Sequence, residues 1–384
     1  MTLRAALAAA FLLALAACGR DEPVADPAAG TDIDESPAAP VSEVGAFDEI
    51  GTVSAPVAGL AIWSHPTLPY RGAIAVAAAG EGLELRDFDG SRLDQRIGGY
   101  TTGLDLVYLG RGREARAILV GLDRVDSAFV LHRITTLPVA FKNIEGRFSA
   151  GAVSGFCLDT DHESDAFSLY VLDGSTRVRE RRFSVDASDV ARETPGSEFA
   201  GPAPLERCVV DRRDHALLAL DTDGGVWRAK LTDGTPNFEK LIDPTGPAVD
   251  LSVILQSNAG SDPSIRRGQI VLTRPDAAAV DVHDLKTGAR LGAVALIRYD
   301  GVPGVEKPGA ARVASGNFGG VYRAGVLVVA ESAAEPAVRL SPWTAVANEV
   351  GFPLFDTIDP RWPAPVEPDP AVSLAPLPSL ERDQ

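Results

Sequence analysis

One short pattern recurs along the chain: an apolar strand, a hairpin, another strand and a polar turn. Its clearest copy is Leu205–Leu231, where turns at Asp211–Asp214 and Asp221–Gly224 separate three predicted strands. The third strands of successive copies begin 45 to 54 residues apart, at Leu83, Ala128, Arg177, Val226 and Val280. A repeat of about 40–50 residues with about four strands is typical of a β-propeller. We therefore predict an all-β chain, a six-bladed β-propeller with about four antiparallel strands per blade.

Composition supports this fold class and limits the partners. The 384 residues are 45% hydrophobic and include 37 Gly and 28 Pro, and no helical heptad pattern is present. The formal net charge of −17 repels nucleic acid and anionic membrane surfaces. We expect a monomer that binds no nucleic acid and contacts a membrane only through a lipid anchor.

The first 18 residues predict an exported lipoprotein. Arg4 precedes the apolar run Ala5–Ala17, which is too short to span a membrane stably. The run ends in Leu15-Ala16-Ala17-Cys18, a close match to a lipobox, and this predicts lipidation of Cys18. An ordinary signal peptide cleaved nearby is the alternative. The predicted location is the cell envelope, lipid-anchored at the outer membrane, on its periplasmic or surface side.

The remaining chain divides by composition. Residues 19–46 are rich in Asp, Glu, Pro and Ala and predict a disordered tether. Residues 47–353 carry the repeats, and residues 354–384 form a Pro-rich tail. We expect the segment around Phe47–Ser54 to close the ring by pairing with the last blade, because closure pairs both edges of the sheet.

Two cysteines remain in the predicted propeller. Cys157 and Cys208 follow similar first-strand positions in consecutive repeats. Export permits a disulfide between them, and two buried thiols remain the alternative. The five His show no HxH or HExxH spacing, and no GxSxG or phosphate-loop motif occurs, so zinc and those catalytic classes are not indicated.

Several stretches, in order, resemble the β-propeller phytases. They are Ala61–Pro66, Gly82–Gly90, Leu104–Leu106, Gly155–Leu158, Glu206–Asp211, Gly225–Arg228 and Leu340–Trp343. The resemblance covers residues 46–352. It implies a six-bladed propeller whose top face binds several calcium ions, which hold the phosphates of phytate and activate a water that attacks phosphorus. Oxygen ligands suit calcium, and bridging cations neutralise transition-state charge.

The resemblance also implies site residues. Arg124 matches a phosphate-binding Arg and would act in catalysis, and four acids would bind calcium: Asp105, Glu206, Asp221 and Asp250. Other positions depart from the family pattern. Ala58 and Gly59 replace paired Asp, and Ala79 and Gly80 replace two Lys.

Two functions remain open on these grounds. The first is calcium-dependent, phytase-like hydrolysis of phosphomonoesters, with phytate or another phosphorylated small molecule as partner. The second is a catalytically inactive phytase-like propeller that serves as a binding or scaffold lipoprotein, as the missing Asp and Lys suggest. An unrelated propeller fits the fold but explains the ordered motifs less well.

Overall fold

The computed structural model describes residues 40–68, 70–110, 114–160, 164–231, 234–257, 267–354 and 356–357. These residues belong to one compact unit, Ala39–Gln384. Its six small antiparallel sheets form a ring of six blades with a core of four strands each. This confirms the predicted fold class, the six-bladed β-propeller.

The first four blades are each built from strands consecutive in sequence. Blade 1 contains β3 (Val57–Ser64), β4 (Gly72–Ala78), β5 (Gly82–Arg86) and β6 (Arg92–Ile97). Blade 2 contains β7 (Tyr100–Leu109), β8 (Arg116–Asp123), β9 (Ala128–Thr136), β10 (Val139–Asn143) and the short β11 (Phe148–Ser149). Blade 3 contains β12 (Gly155–Asp159), β13 (Ala166–Leu172), β14 (Arg177–Val185) and β15 (Ala191–Ala200). Blade 4 contains β16 (Leu205–Asp211), β17 (Ala216–Asp221), β18 (Val226–Lys230) and β19 (Phe238–Ile242).

The last two blades include strands from the ends of the chain. Blade 5 contains β20 (Asp250–Ser257), β21 (Arg267–Arg274), β22 (Ala279–Asp284) and β23 (Arg290–Arg298), with β1 (Val41–Ala46) and β27 (Asp356–Thr357) added at its two edges. Blade 6 contains β24 (Pro308–Ala314), β25 (Val326–Glu331), β26 (Ala337–Pro342) and β2 (Asp48–Thr52).

Ring closure occurs where the sequence predicts it. Strand β2 pairs antiparallel with β26, with Asp48 opposite Leu340, and becomes the outermost strand of blade 6. The N-terminal part of the chain therefore completes the C-terminal blade, which joins the two ends of the ring.

Both ends of the propeller extend beyond residues 47–353. Strand β1 covers the last six residues assigned to the tether and pairs parallel with β23, from Val41 opposite Ala293 to Ala46 opposite Arg298. Val44 and Ala46 are buried there, so this alternating segment is ordered by apolar burial against blade 5. Strand β27 lies within the predicted tail and pairs with β20. The predicted signal peptide, Cys18 and most of the tether and of the tail lie outside the described residues.

Apolar clusters fill the seam between each pair of neighbouring blades. After β26 the chain forms a helix, α1 (Trp343–Val350), whose Trp343 and Val346 join the cluster between blades 5 and 6. Among the described residues, no helix has the length and apolar character needed to cross a bilayer.

Candidate functional site

The innermost strands of the six blades surround a central channel. It encloses a cavity of about 140 Å³ to which every blade contributes. Most of the lining is apolar; one lining side chain from each blade is Leu60, Leu106, Phe156, Val209, Val253 and Val313. The charged lining residues are Asp105, Arg212 and Arg312. Because the surroundings are apolar, the partners of these charges decide what the channel can bind.

Asp105, a predicted calcium ligand, joins three blades. Its Oδ2 accepts a hydrogen bond from the backbone N–H of Leu158 in blade 3, at 2.8 Å. Its Oδ1 accepts from the N–H of Leu106, at 2.8 Å, and from the guanidinium of Arg212, at 3.3 Å. Arg212 lies in the turn after β16 of blade 4 and also donates to the carbonyl of Leu158. The carboxylate is therefore neutralised by a cation that the protein itself supplies.

Asp250, a second predicted calcium ligand, lies in blade 5, three blades away from Asp105. It is likewise bonded to backbone N–H groups and to an arginine. Its Oδ2 accepts from the N–H of Ala311, at 2.9 Å, and from the guanidinium of Arg312, at 2.8 Å. Its Oδ1 accepts from the N–H of Leu251. Blade 5 is thereby attached to blade 6 by a backbone hydrogen bond and a buried ion pair.

The two ion pairs act on each other across the channel. Burial alone would lower the pKa of Arg312, but Asp250, with a further contribution from Asp105, raises it above its ordinary value. Arg312 is therefore held in its charged form, and the formal charges of the two Asp and two Arg sum to zero. We call these four residues the ion-pair girdle: Asp105, Arg212, Asp250 and Arg312.

Asp221, a third predicted ligand, caps a turn of blade 4. Its Oδ1 accepts from the N–H groups of Asp223 and Gly225, at 3.0 and 2.7 Å. Its Oδ2 accepts from the indole N–H of Trp227, at 2.8 Å. The side chain is 5% exposed, and these bonds to its own hairpin account for its position.

Glu206 and Arg124 lie apart from the girdle. Glu206 is on an irregularity of β16 and its side chain is exposed, while the next residue, Arg207, faces the channel mouth. Arg124 is exposed in the turn between β8 and β9, and its backbone N–H donates to the carbonyl of Gly99. Among the described residues, no three His, Cys, Asp or Glu side chains lie close enough together to hold a metal ion.

The channel opens at the first residues of the innermost strands into a mouth of about 440 Å³. Glycines from three blades line it: Gly59, Gly103 and Gly155. Its charged lining residues are Arg207, Lys307, Arg312, Asp250 and Asp276. The backbones approach closely here: a Cβ on Gly59 would lie 2.4 Å from the nitrogen of Leu104. Residue 59 is where the phytase resemblance places one of its paired Asp, and this backbone leaves no room for that side chain.

A disulfide joins the innermost strands of blades 3 and 4 beside the channel. Cys157 and Cys208, 51 residues apart, are bonded with their Cα atoms 5.5 Å apart. Of the two alternatives left open by the sequence, the structure has the disulfide.

Sequence reasoning missed Arg212 and Arg312, the cations of the girdle. Arg212 directly follows β16, and Arg312 lies within β24. Neither matches a phytase motif. Their carboxylate partners are 107 and 62 residues away. Arg212 lay in the predicted turn Asp211–Asp214 and Arg312 in no predicted strand, so the sequence carried no signal for either role.

Comparisons with known proteins identify no family for this chain, and three similar solved structures have TM-scores below 0.5. No protein-family model matches the chain, and no curated protein matches it at a significant level. A structural genomics protein of unknown function from Bacteroides thetaiotaomicron VPI-5482 is 12% identical, over 78% of this chain and 74% of that chain, with a TM-score of 0.45. The β-propeller domain of Myceliophteria thermophila Cps50 (Swd1) is 11% identical, over 74% and 82%, with a TM-score of 0.42. BBS1N, solved in complex with ARL6DN, is 13% identical, over 74% and 78%, with a TM-score of 0.44. We draw no functional conclusion from these similarities.

Proposed function

We propose that this protein is a cell-envelope lipoprotein whose phytase-like propeller binds a partner or ligand without hydrolysing phosphate. One observation carries the proposal: Arg212 and Arg312 neutralise Asp105 and Asp250, two of the acids at which the resemblance expects calcium. A guanidinium fixed beside a carboxylate takes the electrostatic role that a bound cation would have.

The chemistry of calcium supports this proposal. Calcium takes about six to eight oxygen ligands, several of them carboxylate. At Asp105 and Asp250 it would have to displace a partly buried Arg and compete with backbone N–H groups from the neighbouring blades. Displacement would leave each guanidinium in an apolar channel without its counter-charge, which is strongly unfavourable.

The residues expected to bind phosphate also support the proposal. Phytase-like hydrolysis needs a concentrated positive centre to neutralise the transition state. Arg124, the proposed catalytic Arg, lies in an exposed turn of blade 2. The mouth offers Arg207 and Lys307 as cations besides Arg312, which is paired with Asp250. Arg207 already donates to the carbonyls of Ser154 and Glu206.

Phosphate release from phytate tests the proposal. The full lipidated chain, purified in detergent, is incubated with phytate with and without millimolar calcium, beside a calcium-dependent phytase as positive control. We expect release at the level of buffer in both conditions. Calcium-dependent release that is lost in Arg124→Ala would contradict the proposal and support the hydrolase instead.

The lipoprotein part has its own test. The sequence Leu15–Cys18 and the Cys157–Cys208 disulfide both favour export to an oxidising compartment. Cells expressing the chain are labelled with radioactive palmitate and fractionated. We expect label in the membrane fraction and its loss in Cys18→Ala; unlabelled wild-type protein would contradict lipidation.

A further inference from the structure

The seam between blades 4 and 5 opens into a groove separate from the channel. Its volume is about 1110 Å³, and we call it the seam groove. Strands β17 and β18 and the segment 235–239 form one wall, and residues 284–291, around the turn from β22 to β23, form the other. None of the ion-pair girdle lines it, so its properties do not depend on whether the channel hydrolyses phosphate.

The seam groove combines apolar and cationic surface. Ala216, Leu218 and Leu285 are buried at its base, and Leu291, 37% exposed, lies at its edge. Its basic lining residues are Arg213, Arg228, Lys230, Arg267 and Lys286.

The acids in the seam groove are occupied by neighbouring groups. Glu239 pairs with Arg228, whose guanidinium also crosses the seam to the carbonyls of Leu285 and Lys286. Asp211 pairs with Arg213. Asp214, the fourth acid of the lining, also interacts with a neighbouring group. The Oδ1 of Asp284 accepts from the N–H of Lys286 and from both the N–H and the hydroxyl of Thr287.

Two exposed lysines, one on each wall, can contact a ligand in the groove. Lys230, at the end of β18, and Lys286, in the turn after β22, are both exposed. In the part of the chain that the structure describes, neither forms an ion pair with a carboxylate. A ligand between the walls would therefore meet ammonium groups from both sides.

We propose that the seam groove binds an acidic peptide segment, with interspersed apolar residues, from a partner protein. The apolar base favours a peptide over a small polyanion, because burying apolar side chains there adds to the binding free energy. The net charge of −17 repels acidic chains elsewhere on the surface, so complementarity at the seam groove also gives selectivity.

Fluorescence anisotropy with a labelled peptide of alternating glutamate and leucine tests the proposal on the full chain. We expect saturable binding that weakens as salt rises. The double variant Lys230→Glu/Lys286→Glu should weaken it at least about tenfold, since both ammonium groups become repulsive. The matched double variant Arg298→Glu/Arg323→Glu makes the same charge change at exposed residues outside the groove and should bind like wild type.

Three results would overturn the proposal. They are no binding of the glutamate–leucine peptide to the wild type, equal weakening by both double variants, and equally tight binding of an all-glutamate peptide. The last result would show that the apolar base contributes nothing and that charge alone attracts the probe. Thermal melting of both double variants confirms that they fold.

Discussion

The seams on either side of the disulfide-linked blades differ in how they close. Between blades 2 and 3 the buried cluster includes five phenylalanines: Phe129, Phe148, Phe156, Phe167 and Phe183. Phe183 stacks on Phe167 at 5.3 Å and meets the edge of Phe148 at 4.9 Å. Between blades 4 and 5 the buried members of the cluster, among the described residues, are all aliphatic, and the seam groove opens beside them.

This difference shows that blades alike in strand order can be joined by unlike means. Aromatic packing fills the seam of blades 2 and 3, while hydrogen bonds from an arginine to backbone carbonyls join the walls of the open seam. Two other seams add a particular bond each: the disulfide between blades 3 and 4, and Asp250–Arg312 between blades 5 and 6. The repeated strand order determines the ring, and the residues that join neighbouring blades differ from seam to seam.

The largest effect is expected from truncating the aromatic seam. Phe183→Ala should lower the free energy of unfolding by about 4 kcal/mol, because it removes a ring packed on two others. Leu218 lines the seam groove. Leu218→Ala should lower the free energy of unfolding by about 2 kcal/mol, because neighbouring side chains can relax into the space already there. Denaturant unfolding measures both free energies. Equal losses would show that the two seams do not differ in packing.

Removing a cation from the girdle comes next. Arg312→Ala should destabilise the protein by about 3–4 kcal/mol, because Asp250 is left buried without a counter-charge. Adding Asp250→Asn to that variant should recover part of the loss. A double variant no more stable than Arg312→Ala would show that the ion pair is not what joins blades 5 and 6.

The disulfide should contribute slightly less. Cys157→Ala/Cys208→Ala is expected to lose about 3 kcal/mol, since the bond closes a loop of 51 residues in the unfolded chain. Thermal melting of the wild type with and without reductant is the control. A variant that melts with the untreated wild type would mean that the apolar cluster around Cys157 holds this seam unaided.

The smallest effect concerns the seam of blades 1 and 2, where His132 and Tyr100 are hydrogen bonded at 2.7 Å. Burial lowers the pKa of His132 to about 4, from 6.5. Between those values the unfolded chain binds a proton that the folded chain does not, so stability falls as pH falls. The loss should be about 2 kcal/mol by about pH 5.

His132→Gln should flatten that part of the stability profile. His283 in blade 5, whose pKa is also lowered by burial, should leave a residual slope. Melting temperatures measured from neutral pH to about pH 5 give both profiles. Identical slopes in the wild type and the variant would contradict the assignment to His132.

The sequence predicts the blades well because each is local. Hairpin turns and alternating strands lie within one repeat, so the third strands appear where the pattern places them, as β5, β9, β14, β18 and β22. Ring closure by β2 follows from the need to pair the last edge. The sequence did not predict β1, because a six-residue strand beside acidic, Pro-rich chain looks like linker until its partner β23 is known.

The site was less predictable because its partners are distant in sequence. The resemblance singled out Asp105 and Asp250, and the structure has both on innermost strands. Which cation neutralises them depends on how neighbouring blades align, and Arg212 reaches Asp105 past blade 3. A carboxylate in a family motif thus reads the same in sequence whether its partner is a metal ion or a guanidinium.

Calorimetric titration of the full chain with calcium tests most directly whether Arg212 and Arg312 stand in for metal. With the girdle intact, millimolar calcium should produce no binding heat and leave the melting temperature unchanged. Saturable binding at micromolar calcium, with a rise of several degrees in melting temperature, would show that the carboxylates still belong to a calcium site and would contradict the account.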